Sequence, residues 1–338
     1  MKKKPSDLTG AGSIIDVPGI EVGSAQNEAA LTGCTVILAR KGAVGGVDVH
    51  GSAPGTRETD LLNPINLVER VHGILLAGGS AFGLDAATGV MRYLAERKIG
   101  FDTGVVKVPI VPAAILFDLG IGDKSVRPDA EMGYQACLAA SRRSIAEGNV
   151  GAGTGATIGK LFGPALAMKA GLGTASVRAG GIVVGALVAV NAFGDVVDPA
   201  NGEIVAGLRS GKVGPLRVGG HSEFADTLEM MKKPTGQGIL RLATRTNTVI
   251  GVVATNARLT KAEATKVAQM AQDGLARAIR PSHTMLDGDT IFALSAGTKS
   301  GSMMLVGALA AEAMTHAIMR AARLAKGAGG FPGKADSR

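Results

Sequence analysis

Asn247-Thr248 stands at the head of an apolar, β-branched run, Val249-Ile250-Gly251-Val252-Val253-Ala254, and follows Arg245-Thr246. Nearly continuous Val and Ile bounded by Thr and Asn reads as a buried strand. A polar pair at the mouth of such a strand must find partners or cost free energy. Thr248 has a chemical use there. A threonine hydroxyl is too weakly acidic to attack an amide unaided and needs an adjacent base. If the chain is cut just before Thr248, the new α-amino group, with an ordinary pKa near ~8, is such a base. A strand that merely begins with Thr satisfies the same residues, and this stretch alone does not separate the two.

Other residue types with chemical potential lie far away in sequence. Asp287 and Asp289 flank Gly288 at the start of a strand, where an extended backbone turns both side chains to one face. Two carboxylates that close repel, and one pKa rises unless a cation or donors lie between them. His283 nearby suggests a metal, but no second His or Cys cluster completes a site. The new amine of Thr248, or Lys160, would serve as the cation instead. Lys160 sits in the run Gly148 to Leu161, among glycines that leave little bulk around it. A phosphate-loop reading of that run fails, because Thr154 stands where its first Gly belongs and Leu161 where Ser or Thr would hold magnesium. Lys160 could reach into a cleft or extend into solvent. Asn191 closes a long apolar run and must satisfy its amide, as a turn cap or as a donor to an oxyanion.

The elements that must position these residues follow from pattern. Strands are expected at Ile14–Val22, Cys34–Ala39, Val44–His50, Val71–Ala77, Thr174–Arg178, Ile182–Asn191, Val249–Ala254 and Ile291–Ser295. Val105–Phe117 is interrupted by Pro109 and Pro112 and reads as an edge or lining segment. Helices are expected at Leu84–Lys98, Pro128–Ser144, Glu223–Lys232, Lys261–Ala278 (with Thr260 as N-cap) and Ser302–Lys326. Gly78-Gly79-Ser80 forms a strand-to-helix turn that offers backbone N–H groups to an anion. It has no phosphate-binding Lys, so packing or oxyanion binding fits it better than a nucleotide. Ala53 to Asp60 reads as an ion-paired surface loop. Gly207–Gly238 reads as an exposed connector that leaves the junction at 247–248 accessible.

Composition bounds the rest. The 338 residues are 46% hydrophobic and 19% charged, with 50 Gly, which supports a large core and excludes a disordered chain. Aromatics are 3% and the net charge of +8 is scattered, so little is available to stack bases and no nucleic-acid partner is expected. Met1-Lys2-Lys3-Lys4 is the only basic run and no apolar segment follows it, so no secretory signal is expected. The longest apolar stretch, Gly180 to Val190, is too short and glycine-rich to span a bilayer. Cys34 and Cys137, without CxxC spacing, read as reduced buried thiols. The expected location is cytoplasmic, with no membrane partner, no cofactor and no metal.

Taken together and in order, Ala53-Pro-Gly-Thr-Arg-Glu-Thr-Asp60, Leu76-Ala-Gly-Gly-Ser-Ala-Phe-Gly-Leu84, Gly151-Ala-Gly153, Asn247-Thr248 and Asp287-Gly-Asp-Thr290 resemble the P1 family of self-cleaving peptidases. That family includes the L-aminopeptidase/D-esterases (the DmpA-like enzymes) and the nylon-oligomer hydrolases. The resemblance runs from about Ser13 to Lys326. It implies an α/β fold, a four-layer αββα sandwich of N-terminal-nucleophile-hydrolase type, also resembling ornithine acetyltransferase. It further implies a single domain cut autocatalytically into 1–247 and 248–338, the two chains staying together in a homo-oligomer, usually a tetramer of αβ heterodimers. By matching position, Thr248 resembles the nucleophile, Lys160 the lysine whose charge favours the developing alkoxide, and Asn191 the oxyanion donor. Asp287 and Asp289 resemble the acidic pair that orients the nucleophile.

The Asn-Thr junction and the Asp-Gly-Asp arrangement place the chain nearer the nylon-oligomer branch than the Ser-nucleophile branch. Phe117 stands about where members carry Tyr, so one hydroxyl contact is absent and substrate preference is expected to differ; Phe117, Gly79 and Ser80 are the candidate substrate-binding residues. Small linear amides or peptides with a free amino end are the implied substrates. An acyltransferase, passing the acyl group to an amine, and a non-catalytic protein holding an anion or metal are the competing readings.

Overall fold

The computed structural model describes residues 12–240 and 247–337. The Met1–Lys4 basic run and Arg245-Thr246 lie outside the described residues. Among these residues the main sheet has nine strands. They are β1 (Glu21–Asn27), β2 (Thr32–Val49), β3 (Thr56–Arg57), β4 (Arg70–Ala77), β5 (Ala113–Ile115), β6 (Leu172–Ala179), β7 (Ile182–Asn191), β8 (Thr248–Ala257) and β9 (Thr290–Lys299). The major helices are α1 (Ala86–Glu96), α2 (Ala130–Leu138), α3 (Lys261–Ala278) and α4 (Met303–Arg323).

β2 organises the layers. Where the sequence suggests two strands there is one long strand with an irregularity between Leu38 and Ala43, beside Gly42 at φ 78°. A positive φ there suits glycine and lets the strand change direction. The first half of β2 pairs with β1 and β4, and the second half with β9. The strand order is β6-β7-β8-β9-β2-β4-β5-β3, with β1 also on β2. Neighbours are antiparallel except β8–β9 and β4–β5.

The pleat then assigns each face. In β8, Val249 and Val253 pack towards α3 and α4, with Leu275, Met314 and Ile318. Ile250, Val252 and Ala254 face the other way and share a core with Ile37, Ile74 and Leu76 of β2 and β4. On the far side of those strands, Val36, Leu38 and Leu75 pack under α1 and α2. The result is helix, sheet, sheet, helix, the αββα arrangement the resemblance implies. The glycine-rich composition finds its use here. A Cβ on Gly173 of β6 would lie 2.1 Å from the Ala317 carbonyl of α4, and one on Gly46 of β2 would lie 2.3 Å from the Thr265 nitrogen of α3. Helices approach the sheet too closely at these points for any side chain.

Several boundaries differ from expectation. Ile14–Asp16 is a short 3₁₀ turn, and the strand begins only at Glu21. The expected Pro128–Ser144 helix is shorter, Ala130–Leu138, capped by Asp129, whose carboxylate accepts from Met132 N at 2.9 Å. The expected Glu223–Lys232 helix is shorter, Thr227–Met231, and a second short helix, Pro234–Leu240, follows it. The 53–60 loop is not ion-paired: Arg57 donates to Met91 Sδ at 3.0 Å, and Glu58 accepts from Val111 N at 3.3 Å. Among the described residues no helix is long and apolar enough to cross a membrane.

Candidate active site

Thr248 begins β8 and shares the pleat parity of Ile250 and Val252, which places its side chain on the face between the two sheets. Asn191, the last residue of β7, is its antiparallel partner in the register. The two are both buried, Thr248 at 5% and Asn191 at 0% exposure, so every polar atom there requires a partner. The Thr248 hydroxyl donates to the Asn247 carbonyl, and the Gly288 backbone N–H donates to the same oxygen at 3.0 Å. Asn247 is itself buried, with its Oδ1 lacking a hydrogen-bond partner.

Lys160 reaches into this region and not into solvent. Its backbone is pinned beside Asn191, with Gly159 N on the Gly194 carbonyl and Lys160 N on the Phe193 carbonyl, both at 3.1 Å. Gly159 makes the turn at φ 70°. Lys160 Nζ donates to Asn191 O and to Asn191 Oδ1, each at 2.9 Å. Asn191 Oδ1 also accepts from Thr157 N at 3.0 Å, and Asn191 Nδ2 donates to the Phe117 carbonyl at 3.0 Å. Burial pushes the Lys160 ammonium down to about 7, although the Asp287 charge opposes the shift. The residue as a whole is half-buried, with its ammonium end lodged against Asn191. Burial thus favours the neutral amine over the ammonium.

The acidic pair is divided between two tasks. Asp287 Oδ2 accepts from Thr284 N at 2.9 Å and Thr284 Oγ1 at 2.6 Å, while Oδ1 accepts from Phe193 N at 3.3 Å. Burial, and then the neighbouring Asp289 charge, raise the Asp287 pKa, with the Thr284 bonds working against them. Asp289 Oδ1 accepts from Val249 N, the residue after Thr248, at 2.8 Å. Its Oδ2 accepts from His283 Nδ1 at 2.8 Å. Burial lowers the His283 pKa, but the hydrogen bond and charge of Asp289 outweigh it and the net direction is up. The described residues contain no group of three or more His, Cys, Asp or Glu that could hold a metal. They also place no ion pair between Lys160 and either carboxylate.

A cleft of about 440 Å³ opens beside these residues, a size suited to a small ligand. Lys160, Thr157 and Asn247 form its polar end; Phe117, Phe162, Phe193 and Leu216 supply apolar wall, and Asp118 adds one carboxylate. Gly79 and Ser80 do not line it. Gly79 N instead donates to Asp118 Oδ1 at 2.7 Å, so the glycine turn binds an anion of the protein itself. Sequence reasoning missed Asp118, Thr284 and the role of His283. Thr284, three residues before Asp287, is a local spacing that could have been noticed; the cleft wall comes from segments too scattered to leave a sequence signal.

The fold has the N-terminal-nucleophile-hydrolase type of architecture, as comparison with solved structures shows. Residues 12–335 match peptidase family S58, and the chain belongs to that family. An uncharacterized aminopeptidase of Mycobacterium leprae is 42% identical, covering 95% of this chain and 92% of the relative. A 6-aminohexanoate-oligomer endohydrolase of Kocuria sp. is 32% identical, covering 91% and 85%. Among solved structures, the L-aminopeptidase D-Ala-esterase/amidase of Ochrobactrum anthropi, described as a variant of the Ntn hydrolase fold, superposes with a TM-score of 0.68 at 19% identity, covering 95% and 88%. A Burkholderia sp. β-aminopeptidase gives 0.66 at 24% identity, covering 95% and 90%, and these two likenesses speak for the fold. The chain is a hydrolase of peptide or amide bonds.

Proposed function

We propose that this chain is an autoprocessed N-terminal threonine amidohydrolase that cleaves itself between Asn247 and Thr248. The observation that carries the reading is the hydroxyl of Thr248 lying against the carbonyl of Asn247, in a buried site shared with Lys160, Asn191, Asp287 and Asp289. Before the cut the Thr248 nitrogen is an amide and cannot act as a base. Lys160, lowered to about 7 and held on Asn191, the strand partner of Thr248, is the proposed acceptor of the hydroxyl proton at that stage. Its part is then proton acceptance, beyond the purely electrostatic role the resemblance implies.

After the cut the Thr248 α-amine becomes the base for turnover, and the acyl group passes from substrate to Thr248 Oγ1 and then to water. Asp289 holds the nucleophile's backbone through Val249 N, and Asp287 holds the Thr284 turn beside it. Asn191, with a backbone N–H, is the proposed oxyanion donor during turnover, an interaction worth ~3 kcal/mol per donor in other hydrolases. The mostly apolar cleft favours small linear amides or peptides, ω-amino-acid oligomers of the nylon type among them. Water is the proposed acceptor, and a homotetramer of cleaved αβ pairs in the cytoplasm the proposed form. A screen of p-nitroanilide, β-peptide and ω-amino-acid oligomer substrates, with and without an added amine acceptor, tests this. Acyl transfer to the amine in preference to water would contradict the hydrolase assignment.

A further inference from the structure

When the Thr248 hydroxyl adds to the Asn247 carbonyl, the carbonyl oxygen becomes an alkoxide inside a buried site. Charge developing there is stabilised by donors already in place, since fixed dipoles need no reorganisation. The Gly288 backbone N–H is such a donor. It already lies 3.0 Å from the ground-state Asn247 O, so the same oxygen meets a fixed donor as it takes up charge.

The peptide unit that carries this N–H is held from its other end. Its carbonyl, Asp287 O, accepts from Ala53 N at 3.0 Å. Two residues on, Asp289 O accepts from His50 N at 2.9 Å and from Gly51 N at 3.1 Å. An amide whose oxygen is already bonded is polarised to donate more strongly from its nitrogen. The approach leaves no room for a side chain, because a Cβ on residue 288 would lie 2.4 Å from Ala53 O and 3.0 Å from Thr248 Oγ1. The 50–53 segment, between the expected Val44–His50 strand and the 53–60 loop, is the brace of this unit.

We infer that the Gly288 backbone N–H is the oxyanion donor for the chain's own cleavage, positioned by the 50–53 segment; this rests on the autocleavage proposed above. In the step it serves, Thr248 Oγ1 forms a bond to the Asn247 carbonyl carbon and the π pair moves onto the oxygen facing Gly288. As that pair returns, the Asn247–Thr248 C–N bond breaks. The hydroxyl proton ends on the departing Thr248 nitrogen. Water then hydrolyses the ester to the Asn247 carboxylate, the Thr248 hydroxyl and a free α-amine.

The test removes that single N–H. Cell-free translation with a suppressor tRNA carrying glycolic acid at position 288 replaces the amide by an ester and changes no side chain. Cleavage of the freshly made full-length chain should slow by about 100- to 1,000-fold, with resistance to added protease unchanged. A purely structural role in the bridge between Asn247 and Asp287 predicts the reverse: lower protease resistance and a normal rate in the molecules that fold. Wild-type cleavage in a protease-resistant ester chain overturns the inference. If the ester chain fails to fold, the uncut Thr248→Ala chain, labelled with ¹³C at the Asn247 carbonyl and ¹⁵N at Gly288, decides it by NMR. A coupling through the hydrogen bond supports the inference and its absence overturns it. A wild-type chain that never cuts removes the cleavage reading and this inference together, whereas equal cutting by wild-type and ester chains removes this inference alone.

Discussion

Lys160 offers the sharpest quantitative prediction. Its ammonium is shifted from 10.5 to about 7, chiefly by burial. At pH ~7 about half of Lys160 is then the neutral amine, against about one part in 3,000 for an unshifted lysine. If that amine takes the Thr248 proton in the first cut, the cutting rate follows the neutral fraction. The rate should rise about fivefold from pH ~6 to ~7 and less than twofold from ~7 to ~8. A lysine at its ordinary value would instead give about tenfold per unit throughout. Lys160→Arg separates base from charge, because a guanidinium stays protonated and cannot accept the proton. Both Lys160→Arg and Lys160→Met should cut at least about 100-fold more slowly than wild type. The assay is pulse-labelled cell-free synthesis, a chase at each pH, and quantitation of uncut chain on a denaturing gel. A rate independent of pH over that interval, or near-wild-type cutting by Lys160→Arg, would refute the reasoning.

Asp287→Asn and Asp289→Asn keep size while removing charge, and at least one should lower turnover by about 100-fold or more if the pair holds the nucleophile in place; kcat with retained thermal stability is the readout. His283 has a raised folded pKa, so its pairing with Asp289 stabilises the protein fully below the unfolded value of 6.5 and loses that contribution as pH rises through the folded value. His283→Gln should therefore destabilise more in acid than in base, as measured by thermal melts across pH. Phe117→Tyr places a hydroxyl at the cleft wall, and the ratio of kcat/KM between peptide and ω-amino-acid oligomer substrates should change by up to about tenfold. Prolonged chelation should leave wild-type turnover unchanged; loss restored by zinc or manganese would favour a metal instead.

Much of the frame is legible in the sequence because it rests on local pattern. β7 ends at Asn191 and α3 spans Lys261–Ala278 as the apolar period and the Thr260 cap indicate. Thr248 at a strand mouth, and acids flanking Gly288, are likewise visible as polar residues where burial makes them costly. The bend of β2 is less legible, since glycine is common throughout this chain and Gly42 carries no distinguishing neighbour. The division of labour between Asp287 and Asp289 depends on what faces each carboxylate, Thr284 and Phe193 N for one, Val249 N and His283 for the other. Those contacts join residues nearly a hundred positions apart at Phe193 and Asp287, and no spacing rule announces them. Asp118 illustrates the same limit: it belongs to the cleft only because Gly79 N and the Thr32 hydroxyl hold it there.

The central claim is that the chain cuts itself at Thr248. Intact-mass measurement and N-terminal sequencing of freshly purified protein test it most directly. The account predicts two chains, Met1–Asn247 and Thr248–Arg338, that remain associated because β8 is a core strand buried along its whole length. Thr248→Ala should give one intact, inactive chain of 34.0 kDa, and Thr248→Ser should still cut, since hydroxyl and amine are both retained. A fully active wild-type enzyme that remains one uncut chain would contradict the account.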